Sequence, residues 1–553
     1  MAKKDYQAWL TVPNMPAELQ AELVKMTEDE KNDSFYRELA FGTGGLRGVI
    51  GAGTNRMNVY TVSKATRGLG RYLLEAFEHP SCAVSCDSRI HSRDFAELTA
   101  ATLAQMGIRV YIYPTLMPTP MLSYAVRHLD CSAGVMVTAS HNPAKFNGYK
   151  VYGADGCQIT IDAADRVLSY INKEETLVEQ LPDFSAMLES GMVSYITEET
   201  IESYYADIAK LQVAPTKQEL HIVYSPLNGT GNVPVREMLK RLGNVKVDVV
   251  AEQELPDGRF PTAPYPNPEI REAMKLAIAK TVETGADICV ATDPDCDRIG
   301  AGVREGDQVT LISGNDMGVL LLDYVCSHRT IDKNDLPPVA VKTIVTTEMA
   351  VAICKKYGVE LRNVLTGFKF IGEQIGLLEQ EGRPDRYIFG FEESYGYLSG
   401  TDVRDKDAVN AAVLVCEMAA NYKAQGLTLL DKLNQLREEH GFYGQRLLTY
   451  QYEGESGANQ MASIMASLRR PMADFNEEAM QTASRIDYLN DDTGLPASDV
   501  LSFQLANGFK VIVRPSGTEP KLKAYLFAVG ANQAAAESEL DALESMMNAY
   551  CKA

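Results

Sequence analysis

At 553 residues the chain is too long for a single hydrophobic core, and a soft figure of roughly 150 residues per domain suggests three or four domains. Its composition, 45% hydrophobic and 23% charged, is that of an ordinary globular protein, and a net charge of −21 argues against nucleic acid or an anionic membrane as the main partner. The ten cysteines show no metal-type C-x-x-C pair, the start MAKKDYQAWL has no long apolar run, and apolar stretches such as Asp287–Thr292 are far too short to span a bilayer, so a reducing cytoplasm is expected, with Cys82 and Cys86 as buried thiols.

The first 40 or so residues are polar and helical in flavour. After them, short β-rich apolar runs alternate with longer helical patterns, which predicts βαβ units and mixed, largely parallel sheets. Strands are expected near 82–87, 108–113 and 132–138, then near 220–225, 245–250 and 287–292, then near 339–344, 359–365 and 386–391. Helices are expected over 59–77, 231–243, 269–284 and 367–381. Each of the three stretches ends in an apolar strand followed at once by a polar loop. Open α/β sheets bind ligands at such carboxyl ends. Residues 450–495 read as polar and loop-rich. The run 510–529 reads as strand, Gly-containing turn, strand, and 532–549 as a helix, which suggests a smaller α+β domain. The expected domains are 1–208, 209–328, 329–450 and 451–553.

Five loops carry candidate chemistry. Gly42-Thr43-Gly44-Gly45-Leu46-Arg47-Gly48 is Gly-rich but is no nucleoside-triphosphate P-loop, and its arginine can reach a transferring phosphate. In TASHNP (138–143), Ser140 follows an apolar strand, where a hydroxyl and neighbouring N–H groups can face an anion; a satisfied turn serine is the plainer alternative. In Asp293-Pro294-Asp295-Cys296-Asp297-Arg298, three alternate carboxylates offer hard oxygen ligands that suit Mg²⁺, and clustering them without a cation is costly. An EF-hand does not fit, because Arg298 and Arg304 stand where Gly and Glu belong. In Gly390-Phe391-Glu392-Glu393-Ser394-Tyr395-Gly396, Glu392 and Ser394 point the same way on an extended backbone and suit vicinal sugar hydroxyls. VRDKD (403–407) lies close by. Finally Arg514-Pro515-Ser516-Gly517-Thr518-Glu519-Pro520-Lys521 combines a guanidinium, two hydroxyls and a flexible backbone between strands, a nest for a dianion.

Taken together, GTGGLRG, TASHNP with FNGYK (146–150), DPDCDR, GFEESYG and RPSGTEP resemble the α-D-phosphohexomutase superfamily, in family order and over nearly the whole chain. The resemblance implies four domains around a central cleft, three α/β and a C-terminal α+β. It implies Ser140 as phosphoserine, and Asp293, Asp295 and Asp297 as ligands of one Mg²⁺ together with the seryl group. It implies Glu392 and Ser394 on the sugar, and Arg514, Ser516, Gly517 and Thr518 on the distal phosphate. Arg47, Lys150, His141 and Arg298 would lie near the transferring group. Lys406 matches a lysine proposed for proton transfer, and Thr366 opens the substrate-facing segment TGFKFIG (366–372). Lys150 or Lys406 as general base would need a depressed pKa.

The EESYG form resembles the glucose-type loop, which implies exchange of glucose 1-phosphate and glucose 6-phosphate through glucose 1,6-bisphosphate, itself an activator. A phosphomannomutase or phosphopentomutase is the alternative within the superfamily, since GTGGLRG and GFEESYGYLSG also resemble its pentose branch. Asn228, in SPLNGTGN (225–232), stands where relatives often carry His. Two readings from other classes remain: an aspartyl-phosphate phosphatase with Asp293 as nucleophile, and a catalytically silent sugar-phosphate-binding protein. The first leaves TASHNP and RPSGTEP unexplained, and the intact loops argue against the second.

Overall fold

The computed structural model describes residues 2–42, 44–329, 335–452, 454–470, 481–515 and 521–551. The chain divides into two compact units. The first comprises Met1–Val339 and Phe368–Thr428, the second Ala340–Gly367 and Leu429–Ala553.

The first unit opens with three short helices, Ala2–Trp9, Ala17–Lys25 and Glu28–Phe35. They bury Tyr6, Trp9, Leu23 and Phe35 against Ala52 and Tyr60, a small core of their own. A seven-stranded mixed sheet follows. Ser81–Cys86, Arg109–Ile112, Ala133–Val137 and Val193–Tyr195 run parallel. Phe146–Gly153 and Gly45–Val49 then join antiparallel beside Ala133–Val137. The parallel strands SCAVSC and AGVMV are buried along nearly their whole length because helices cover both faces of such a sheet. Helix Val59–Ala76 begins at a capping box formed by Asn58 and Thr61.

A second, five-stranded sheet has Val245–Val249, Leu220–Ser225 and Ile288–Thr292 in parallel, then Ile299–Glu305 and Gln308–Ile312 antiparallel. The first unit also holds the antiparallel pair Tyr387–Glu392 and Gly396–Leu398. In the second unit, Val339–Thr343 neighbours Glu360–Val364, and a separate five-stranded antiparallel sheet runs from Phe442–Gln451 to Thr482–Asp487. Helix Gln533–Cys551 packs on it through Leu540, Leu543 and Met547.

The expected strands and helices therefore form, and the ten cysteines are free and buried. One segment departs from expectation. Gly454–Leu468 is a helix and Thr482–Asp487 a strand, where the sequence suggested loop. Met461, Ile464, Met465 and Leu468 recur at helical spacing and pack on the C-terminal core. The surrounding polar residues masked that stripe. Among the described residues, no helix is long and apolar enough to cross a membrane.

Candidate active site

Three loops of the first unit, each leaving the end of a strand, meet around one acidic cluster. Each carries a non-glycine residue in the left-handed region: Ser140 (φ 49°), Cys296 (φ 53°) and Tyr395 (φ 66°). Such conformations cost roughly 1–3 kcal/mol each and persist only where surrounding contacts hold them. Here the contacts are identifiable. Ser140 N–H donates to Thr138 Oγ1 at 2.8 Å. Cys296 N–H donates to the Asp293 carbonyl at 2.9 Å, and Ile299 N–H to the Tyr395 carbonyl at 3.2 Å. Gly314 leaves no room for a side chain, because a Cβ there would lie 2.0 Å from the Glu393 carbonyl oxygen.

Asp293, Asp295 and Asp297 each offer a carboxylate oxygen within 4.8 Å of the others, and all three are buried. Ser140 Oγ donates to Asp293 Oδ2 at 2.7 Å, across 153 residues of chain. The serine residue is itself only 3% exposed, while His141, Lys150 and Arg298 beside it are half-buried. Asp293 Oδ1 accepts the N–H groups of Asp297 (3.1 Å) and Arg298 (3.0 Å), which closes the loop on itself. Asp295 Oδ1 and Asp297 Oδ1 are buried and have no hydrogen-bond partner. Buried carboxylate oxygens without partners are costly, and a hard divalent cation satisfies them directly. The donor set thus fits Mg²⁺: oxygen only, converging, with the serine hydroxyl at its edge.

Lysines supply the countercharge. Lys150 Nζ lies 2.7 Å from Asp295 and 3.3 Å from Asp297. Lys406 Nζ lies 3.3 Å from Asp297 and 3.0 Å from Asp405. Burial works against the charge on both lysines, but the carboxylates outweigh it and raise both pKa values. The depressed pKa that a general-base lysine would need is therefore not present at either residue, because the Asp295, Asp297 and Asp405 carboxylates favour the charged form. Burial, with repulsion from Asp295 and Asp297, pushes the Asp293 carboxyl well up. For Asp295 burial acts in the same sense, yet the Lys150 contact prevails and holds it low. Burial, with Arg298, Arg47 and Lys150, lowers the His141 pKa to about 2, so the imidazole is neutral, its Nδ1 3.3 Å from Ser140 Oγ.

Arg47 lies on strand Gly45–Val49 opposite Gly148, and Lys150 lies opposite Gly45. A Cβ on Gly148 would lie 2.4 Å from the Thr138 carbonyl oxygen, so this glycine admits the serine loop. Glu392 is buried and close enough to Arg298 and Lys406 to raise the pKa of each. Ser394 is half-buried. Thr366 and Arg514 belong to the second unit. Both are half-buried, and Thr366 Oγ1 has no hydrogen-bond partner. Ser516, Gly517 and Thr518 lie outside the described residues.

Sequence reasoning missed Thr119. Its Oγ1 donates to Asp295 Oδ2 at 2.8 Å, and its N–H to the Asp295 carbonyl at 2.9 Å. The MPTP run (117–120) looks like an ordinary helix start, and only the fold brings it to the acidic loop. Asp405 was also missed. It accepts from the Tyr152 hydroxyl at 2.8 Å and steadies Lys406. Asn228 has a structural role: its Nδ2 donates to the carbonyls of Leu255 (2.8 Å) and Glu252 (3.3 Å).

The chain matches the sequence models of phosphoglucomutase/phosphomannomutase α/β/α domain I over 38–178, domain II over 202–306 and domain III over 313–439. It is 36% identical to a Staphylococcus haemolyticus phosphoglucomutase, over 90% of this chain and 91% of that one. Its fold resembles that of pp63/parafusin (phosphoglucomutase) from Paramecium, with TM-score 0.72 at 17% identity, over 94% of this chain and 97% of that one. A more distant likeness, TM-score 0.52 at 15% identity and over 93% and 96% of the two chains, is to Aspergillus fumigatus N-acetylphosphoglucosamine mutase in complex with GlcNAc-6P and magnesium.

Proposed function

We propose, from the premise that the chain belongs to the phosphoglucomutase/phosphomannomutase family, that it interconverts glucose 1-phosphate and glucose 6-phosphate through a phosphorylated Ser140. The observation that carries the reading is the 2.7 Å contact between Ser140 Oγ and Asp293, within a trio of buried carboxylates. A serine held there serves as phosphate carrier, and the trio is a site for one Mg²⁺.

The chemistry runs in two balanced halves. A free hydroxyl of the bound sugar phosphate attacks the phosphorus of phospho-Ser140. The new P–O bond forms as the P–Oγ bond breaks, the hydroxyl proton leaves, and glucose 1,6-bisphosphate results. The bisphosphate turns over. Ser140 Oγ then takes the other phosphoryl group, and the isomeric monophosphate departs. Mg²⁺, when bound, supplies charge neutralisation and Lewis-acid polarisation at the seryl phosphate. Lys150, Lys406, Arg47 and Arg298 place cations around the transferring oxygens. The proton acceptor is assigned to Lys150 or Lys406, once the neighbouring carboxylates no longer hold it charged. Glu392 and Ser394 bind sugar hydroxyls, Thr366 opens a substrate-facing segment, and Arg514, Ser516, Gly517 and Thr518 grip the non-reacting phosphate. The domains run 1–208, 209–328, 329–450 and 451–553, and the protein works in the cytoplasm.

A coupled assay of 6-phosphate formation from glucose 1-phosphate, with catalytic bisphosphate and Mg²⁺, tests this reading. Turnover that Ser140→Ala lowers by about 10⁴-fold or more, in a protein that still folds, is expected. Activity near wild type in that variant refutes the carrier role. A preference for mannose or pentose phosphates in the same assay refutes the glucose assignment alone.

A further inference from the structure

Arg89 is a buried arginine with no part in the chemistry above. Its guanidinium donates to four carbonyls of one short stretch: Ser140, Asn142, Pro143 and Phe146, the last two at 3.0 Å each. Asp87 pairs with it at 3.3 Å, and neither side chain touches solvent. The Asp87 carboxylate also accepts the hydroxyls of Thr138 and Ser92, at 2.6 Å each, and the Arg89 N–H at 2.9 Å. Thr138 Oγ1 in turn accepts the Ser140 N–H at 2.8 Å.

Ser140 is therefore held at both of its peptide groups, by its N–H through Thr138 and Asp87, and by its carbonyl through Arg89. These are the groups that fix its left-handed φ of 49°. Phe260 covers the guanidinium, with its ring centre 5.1 Å from Cζ. Gly258 lets that loop close on Arg89, for a Cβ there would lie 2.6 Å from Ile90 N. Only the planar fork of arginine offers enough donors in one plane for four carbonyls. A lysine has three, on a mobile point charge.

We propose that the Asp87–Arg89 pair, acting with Thr138, is the positioning device of the phosphate-carrying loop: it fixes the main chain on both sides of Ser140, so that Oγ stays at one point for two successive transfers. The inference rests on the reading of Ser140 as carrier. Arg89 touches neither substrate nor the reacting atoms, so its effect passes through the loop. A misplacement of about 1 Å costs about 10²-fold in rate.

The test uses full-length Arg89→Met, Arg89→Lys and Thr138→Val proteins, with folding checked by circular dichroism and thermal melting. Turnover is normalised to the fraction of chains that accept phosphate on Ser140. Expected is a fall in kcat of about 10²-fold for Arg89→Met, smaller falls for the other two, and KM within threefold of wild type. A purely structural role lowers the melting temperature and the active fraction but leaves kcat per active site unchanged, and that result overturns the proposal. If Arg89→Met does not fold, Thr138→Val decides: reduced kcat with unchanged KM supports the device, and wild-type kcat overturns it. Absence of turnover in the wild-type protein would instead refute the mutase reading. Wild-type turnover with unaffected variants refutes only the positioning device.

Discussion

Thr119 shows how much one side chain outside the acidic trio can do. It donates to the same Asp295 oxygen that Lys150 contacts. Partners of this kind orient ligands and are worth about 10–100-fold in metal affinity. Thr119→Val is expected to weaken Mg²⁺ binding by about tenfold, measured by calorimetry, without loss of fold; unchanged affinity would remove Thr119 from the metal site. Asp407 gives a second test. Burial raises its pKa to about 6, against an ordinary value near 4 in the unfolded chain. The native state therefore binds the extra proton between those values, and stability falls as pH rises from about 4 to 6, then levels. Asp407→Asn keeps an acceptor for the Tyr204 hydroxyl and the Asn410 N–H. Relative to that variant, the wild-type protein should lose on the order of 2–3 kcal/mol across this window in denaturant melts. Parallel pH profiles for the two proteins would contradict the assignment.

Among elements, the hairpin that carries Glu392 and Ser394 depends on Gly314, the first residue of helix Gly314–Ser327. Gly314→Ala drives a methyl group into the Glu393 carbonyl and must shift the loop that carries Glu392 and Ser394. The expected result is a loss of about 1–3 kcal/mol of stability together with a raised KM for the sugar phosphate; an unchanged KM would place the hairpin away from the sugar. The elements themselves were largely legible, because largely apolar runs such as AGVMV and ICVAT sit in parallel strands buried on both faces. Gly454–Leu468 was not, because its apolar stripe of methionine, isoleucine and leucine is thin and interrupted by polar residues.

Over the whole molecule, the sequence announces the residues proposed to bear the chemistry but not those that hold them. Ser140 and the three aspartates stand in dense polar loops after apolar strands, which is a local signal. Asp87, Arg89, Thr119 and Asp405 act through contacts up to 253 residues away in the chain, Asp405 with Tyr152 being the longest, and their own surroundings look ordinary. The same long-range assembly explains the lysines. Their pKa values are raised by carboxylates that only the fold brings near, which the sequence did not show. At this scale, chelating divalent cations is expected to stop turnover while leaving the fold intact, and Mg²⁺ to restore it; turnover that persists in chelator would remove the metal from the mechanism.

The most direct measurement is the fate of the phosphoryl group itself. The protein is incubated with radiolabelled glucose 1,6-bisphosphate, quenched in acid, and mapped by peptide mass spectrometry. An acid-stable label on Ser140, approaching one per chain and chased out by unlabelled glucose 1-phosphate, is the predicted result. A hydroxylamine-labile label on Asp293, or a label on any residue other than Ser140, would contradict the account.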